Sequence, residues 1–226
     1  MVSTFIIGMF TVIMNVNIFI ADKDQWKLIA FRVLLSSHGV IFYYALRYSD
    51  EGVCTIINNL CPIIVLFPCK YFLLEKFGKR STTLDILSFA GVIVIGLCLI
   101  RSDIDYKLSE STIGCILALI SVTCFSFGLI VIRLMNQSLN VLFAPFYSAA
   151  SGFVFVFPLV LMKHDLVNLD RYNNVDIKLM MLAAFFDSIS ELLKSNALKY
   201  ECVSRFAPFT YLFLVMQLYV DIFGFN

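Results

Sequence analysis

Long apolar runs separated by short polar breaks dominate the chain. Eight runs fit a helical crossing of a bilayer: about residues 2–20, 28–46, 52–74, 84–100, 113–134, 141–162, 177–198 and 203–225. A hydrocarbon core ~30 Å thick needs ~17–25 helical residues to cross it. The runs are continuously apolar and lack the period-two alternation of a strand barrel. Breaks such as Ala21-Asp22-Lys23-Asp24-Gln25 and Glu75-Lys76-Phe77-Gly78-Lys79-Arg80 are too short to hold a soluble domain, and so is the longest, from Lys163 to Asp176. The pattern predicts an all-α polytopic membrane protein with eight transmembrane helices. The first run has no Lys or Arg before Lys23 and no small-x-small cleavage pattern. It therefore reads as a transmembrane helix rather than a signal peptide.

Composition agrees and removes other classes. Apolar residues make up 60% of the 226, and charged residues only 15%. A disordered chain needs the opposite balance, and a soluble fold of this size needs more charge on its surface. The net charge of +1 comes without a basic stripe, so nucleic acid is not an expected partner. The seven cysteines contain no C-x-x-C pair and lie mostly inside apolar runs. They read as small buried hydrophobes rather than as a metal or redox site, and His38 and His164 are too few to make a zinc centre. No metal and no cofactor are expected. There is no H-E-x-x-H, no G-x-S-x-G and no phosphate loop, so no enzyme activity is expected either.

Basic residues set the orientation. If loop sides alternate, one side receives Lys23, Lys27, Arg32, Lys70, Lys76, Lys79, Arg80, Arg133, Lys194, Lys199 and Arg205. The other receives Arg47, Arg101, Lys107, Lys163, Arg171 and Lys178. Positive charge favours the cytosolic side of short loops. The loops Glu75–Thr83 and Lys199–Ser204 are thus expected in the cytosol, and Arg101–Thr112 and Lys163–Asp176 opposite. The sequon Asn136-Gln137-Ser138 falls in a cytosolic break and is expected to stay unglycosylated.

Two segments resemble each other. Ala45-Leu46-Arg47-Tyr48 ends the second run, and Ala197-Leu198-Lys199-Tyr200, 152 residues later, ends the seventh. Each precedes an acidic break and a run containing proline, Pro62 and Pro208. The second and seventh runs cross in opposite directions, so the duplicated unit is an inverted repeat, an architecture of secondary transporters. A five-helix unit predicts ten helices. The chain reads as an incomplete 5+5 inverted repeat without the first and last helices, with repeats at 1–107 and 108–226.

The segment Arg32-x10-Tyr43-Tyr44-Ala45-Leu46-Arg47-Tyr48, the step Asn59-Leu60-Cys61-Pro62, and Glu75 after Leu73-Leu74 resemble the first repeat of EamA-type transporters of the drug/metabolite transporter superfamily. Gly91-Val92 and Gly96 resemble the glycine-rich helix that closes that repeat. In the second half, Ala197-Leu198-Lys199-Tyr200 and the stretch from Arg205-Phe206-Ala207-Pro208 through Asp221-Ile222-Phe223-Gly224 resemble the corresponding helices. The pattern is closer to eukaryotic members allied to solute carrier family 35. The resemblance implies ten helices and transport of nucleotide sugars, amino acids or other metabolites.

An ionisable group at mid-bilayer costs roughly 2.5–3.5 kcal/mol on insertion scales, so each needs a reason. Asp187, Glu191 and Lys194 are spaced four then three, on one helical face. They either line a solute cavity or, for Glu191 with Lys194, form a neutralised packing pair. Asn58 and Asn59 precede Pro62, which frees a carbonyl one turn earlier; solute binding and interhelical hydrogen bonding are both open to them. Tyr211 and Gln217 in the eighth run have the same two readings. His38 reads as a core histidine, Arg32 as an interfacial anchor, and the stripe Ala144, Ser148, Gly152 as a packing face.

The function these features point to is a secondary transporter of a small organic solute working by alternating access. The alternative is a truncated, non-transporting membrane homologue that acts as a scaffold or is degenerate. The expected partners are the lipid bilayer, a small-molecule solute and, as the one protein partner, a second copy in a homodimer. The membrane, plasma or internal, is not legible, because no retrieval or targeting tag is present.

Overall fold

The computed structural model describes residues 2–16, 22–49, 51–74, 83, 90, 108–162 and 173–206. All regular structure among the described residues is helical: α1 (Val2–Ile13), α2 (Lys23–Leu35), α3 (His38–Tyr48), α4 (Glu51–Asn58), α5 (Cys61–Phe72), α6 (Leu108–Ser138), α7 (Phe143–Met162), α8 (Asn174–Tyr200) and α9 (Val203–Phe206). Among the described residues, three helical stretches are long and apolar enough to cross a membrane: Lys23–Tyr48, Glu51–Phe72 and Thr112–Ser138. The fourth predicted span, apart from Ala90, and the eighth beyond Phe206 lie outside the described residues.

Three predicted spans are interrupted, each for a legible reason. The first was expected to run to residue 20, but α1 stops at Ile13, after about 18 Å of rise. Asn15 adopts φ 52°. Its N–H donates to Val12 O (3.0 Å), and the Val16 N–H donates to Thr11 O (3.0 Å). This pair of bonds is a Schellman cap, and asparagine tolerates its left-handed position.

The second span is split between α2 and α3. Asp22 opens α2, its N–H donating to Gln25 Oε1 at 2.9 Å, one arm of a capping box. At the other end, Ser36 Oγ donates to Arg32 O (2.7 Å). The Ser37 N–H turns to Leu34 O (3.1 Å), one residue short of the helical register. Serine hydroxyls compete for backbone carbonyls in this way and weaken a helix interior.

The third span is split between α4 and α5. Pro62 cannot donate, so the Asn58 carbonyl loses its helical partner. The Asn59 amide donates back to Thr55 O (2.8 Å), and the Asn59 N–H binds the same carbonyl at 3.0 Å. Pro68 removes a second donor inside α5.

The described chain groups into two compact units, and each draws on both halves of the sequence. One comprises Met1–Ser37 and Val131–Tyr200. In it α1 packs on α7 and α8, α2 packs on α7, and α7 packs on α8. Ile7, Ile29, Met135, Ala144 and Leu198 are buried there. Along α8, by contrast, Leu179, Met180, Leu182, Phe185, Phe186 and Leu193 are exposed, an apolar surface suited to lipid contact.

The other unit comprises His38–Ile130 and Glu201–Asn226. Its core joins Ala45, Cys54 and Ala118 with Phe42, Leu46, Ile57 and Leu117 around them. Gly114 is where backbones come closest: a Cβ there would collide with the Ser49 side chain and stand 2.8 Å from Ser49 N and 3.1 Å from Ala45 O. Backbone cannot yield as a flexible side chain does. Gly114→Ala should therefore destabilise the protein by about 1–3 kcal/mol through overpacking, despite alanine's better helix propensity. Thermal unfolding of the purified chain in detergent measures it; an unchanged or raised midpoint would contradict the close approach.

Candidate functional site

The unit built from α1, α2, α7, α8 and the end of α6 holds a cluster of charged groups among apolar helices. Arg32 sits nine residues into α2, about 14 Å along its axis. It is 2% exposed. This corrects the anchor reading, because an anchoring arginine keeps its head in the headgroup layer. The guanidinium turns inward instead: Nη2 donates to Ser148 Oγ on α7 at 2.8 Å and stands 3.6 Å from Glu191 Oε2 on α8.

Glu191 is also paired with Lys194 through Oε1, as the spacing of three along one face predicts. The Glu191 and Lys194 side chains are 23% and 16% exposed. One carboxylate therefore stands between two cations contributed by two helices. The polar floor of the cluster is made of serines. Ser36 Oγ lies 3.4 Å from Ser148 Oγ, and Ser151 Oγ donates to Ser148 O at 2.5 Å. Breaking a buried pair by removing one partner costs ~3–5 kcal/mol, since the other charge is stranded.

A second polar junction fastens the ends of α6 and α8. Arg133 Nη1 donates to Leu198 O (2.6 Å) and Lys199 O (2.5 Å). These are the last carbonyls of α8, and a cation suits them. Asn136 Nδ2 donates to Ser195 O (2.6 Å), and Ser195 Oγ donates to Val141 O (2.8 Å).

The sequence candidates fall in different places. Glu191 belongs to the charged cluster. Asp187, one turn earlier on α8, is exposed. Asn58 and Asn59 belong to the other compact unit. Asn59 is buried and spends its amide on its own helix; Asn58 is half-buried. Tyr211 and Gln217 lie outside the described residues. His38 stacks against Phe125 with centroids 5.1 Å apart, and its carbonyl accepts from Ser121 Oγ at 2.8 Å. The stripe Ala144, Ser148, Gly152 is not a uniform packing face. Ala144 is buried, a Cβ at Gly152 would meet nothing within 4 Å, and Ser148 is a ligand of Arg32. The spacing marks Ser148 only as a small residue; its role as a hydrogen-bond partner comes from an arginine 116 positions away.

The EamA-like transporter family matches residues 112–223, and over that stretch the chain is similar to its members. The family is one of transporters, not of enzymes. With three stretches apolar enough to cross a bilayer, the chain is a membrane protein. No curated protein matches it.

The sequon residue Asn136 is 5% exposed, with its amide nitrogen donating to Ser195 O. A glycosyltransferase needs that nitrogen free. No glycosidase-sensitive mobility shift is expected for the chain expressed in mammalian cells. Asn136→Ala should cost about 1–3 kcal/mol by orphaning its buried partners, read from the thermal midpoint. A glycan on Asn136 would contradict this placement.

Proposed function

We propose that the protein is a multi-pass secondary transporter that carries a small organic solute by alternating access. The observation that carries this reading is the cluster of a buried Arg32 with Ser148 and the half-buried Glu191 and Lys194, set among apolar helices of a chain similar to the EamA-like transporter family. Charges inside a membrane bundle are costly and mark solute or ion pathways. A purely structural fastening would be made more cheaply by apolar packing. Asp187 is assigned to the exposed approach to the cluster. On the sequence pattern alone, Asn58, Asn59, Tyr211 and Gln217 are kept as solute-contact assignments, with no position given relative to this cluster.

We further read the chain as two inverted repeats, 1–107 and 108–226. The two similar segments support it: Ala45-Leu46-Arg47-Tyr48 ends α3, and Ala197-Leu198-Lys199-Tyr200 ends α8. In both cases two residues separate the tyrosine from the next helix, at Glu51 and at Val203. Solute sites in such folds sit near the midplane, where the repeats meet.

Two experiments test these readings. Proteoliposomes holding the full chain should accumulate at least one solute from a broad radiolabelled metabolite panel. Arg32→Ala should reduce that uptake to near background. Absence of movement for every solute, with the protein correctly inserted, would overturn the transporter reading. For topology, single reporter cysteines in Glu75–Thr83 and Lys199–Ser204 should be labelled from the cytosol, and those in Arg101–Thr112 and Lys163–Asp176 from the opposite side. Cytosolic labelling of Lys163–Asp176 would remove the inverted repeat.

A further inference from the structure

The charged cluster carries more information than its presence. Arginine offers five N–H donors in a planar fork, and one edge of that fork, Nε with Nη2, matches the two oxygens of a carboxylate. In Arg32, Nη2 is engaged by Ser148 Oγ. The neighbouring Nε is buried and has no hydrogen-bond partner among the described residues. The nearest carboxylate, Glu191, is held at 3.6 Å. That separation exceeds the roughly 2.7–2.9 Å of a charge-assisted hydrogen bond. Glu191 is drawn instead to Lys194. Among the described residues, a buried guanidinium is thus left with an incomplete set of acceptors, next to a carboxylate paired with Lys194. Buried donors are seldom left so.

The exposure of the pair adds to this. Among the described residues the cluster joins the cations Arg32 and Lys194 to Glu191, with Asp187 one turn away and exposed. Glu191 is the most exposed of the three, at 23% against 3% for the Arg32 side chain, so it is the member able to move aside.

We propose that Arg32 and Ser148 form the seat for an oxyanion group of the carried solute, a carboxylate, and that Glu191 occupies the approach to this seat when no solute is bound. On arrival, the solute carboxylate takes the Nε and Nη2 edge of Arg32, and Glu191 stays with Lys194. This rests on the transporter reading and names the chemical class of its solute.

Acetate is the smallest probe of this seat. Thermal unfolding of the purified full chain in detergent is followed against sodium acetate. Sodium chloride at equal ionic strength and acetamide, the neutral isostere, serve as controls. Acetate should raise the midpoint saturably, and chloride and acetamide should not. Glu191→Gln removes the competing charge and should lower the half-saturating acetate concentration several-fold. Arg32→Lys keeps the charge but loses the fork, and should abolish the acetate response. Ser148→Ala, which disturbs less, should weaken it several-fold and serves should Arg32→Lys not fold.

A purely structural cluster predicts lower midpoints for all three variants with no change in the response to acetate; that result overturns the inference. So does equal stabilisation by acetate and chloride, or an acetate response that Glu191→Gln leaves unchanged. Uptake of only neutral solutes by the proteoliposomes would remove this seat and leave the transporter reading intact. Specific acetate binding without any solute uptake would do the reverse.

Discussion

A guanidinium buried among apolar helices has to find its partners in protein, because the bilayer supplies none. That constraint organises the unit around Arg32. The arginine reaches α7 through Ser148 and approaches α8 at Glu191, so α2 is tied to two helices more than a hundred residues further along the chain. The desolvation of such a charge costs several kcal/mol and is offset only by good geometry. Here the geometry is incomplete: one donor has no acceptor among the described residues, and one ion pair is longer than a hydrogen bond. An arrangement of this kind is poorly suited to pure fastening and well suited to exchange of partners.

Backbone groups obey the same constraint at the helix breaks. Where α1 stops, the Schellman cap reuses two carbonyls. Where α2 gives way to α3, the Ser36 hydroxyl takes the Arg32 carbonyl. Where Pro62 withholds a donor, the Asn59 amide turns back to Thr55. In each case a side chain or a left-handed residue supplies what water would supply in a soluble protein. The break after α2 falls four residues from Arg32, so the interrupted helix and the charged cluster share the Arg32 backbone and side chain.

The fastening at the end of α8 has a different character. Arg133 caps the helix by binding two of its last carbonyls. Asn136 and Ser195 close the junction with buried amide and hydroxyl groups. These bonds meet the helix-end requirement locally. They join helices through backbone carbonyls and an amide, and here too the arginine Nε has no hydrogen-bond partner among the described residues.

The sequence by itself determined the class of the protein. Runs of apolar residues with few charges admit only helices in a bilayer, and the family of transporters was legible in the order of short motifs from Arg32 to Tyr48 and from Arg205 to Gly224. It also placed Glu191 and Lys194 on one face, because helical periodicity is a local property. The breaks were half legible: Pro62 marked one, but the short polar interruptions Ser36-Ser37-His38 and Asn15, set inside long apolar runs, did not announce the other two. Hydropathy reports the cost of burial and not the local hydrogen bonds that end a helix. What only the tertiary structure decided was the company of Arg32. Its position near the start of an apolar run resembled that of an anchor, and its depth, its bond to Ser148 and its incomplete approach to Glu191 depend on contacts spanning more than a hundred residues. Pairing over such a distance leaves no periodicity in the chain, so no reading of spacing could have found it.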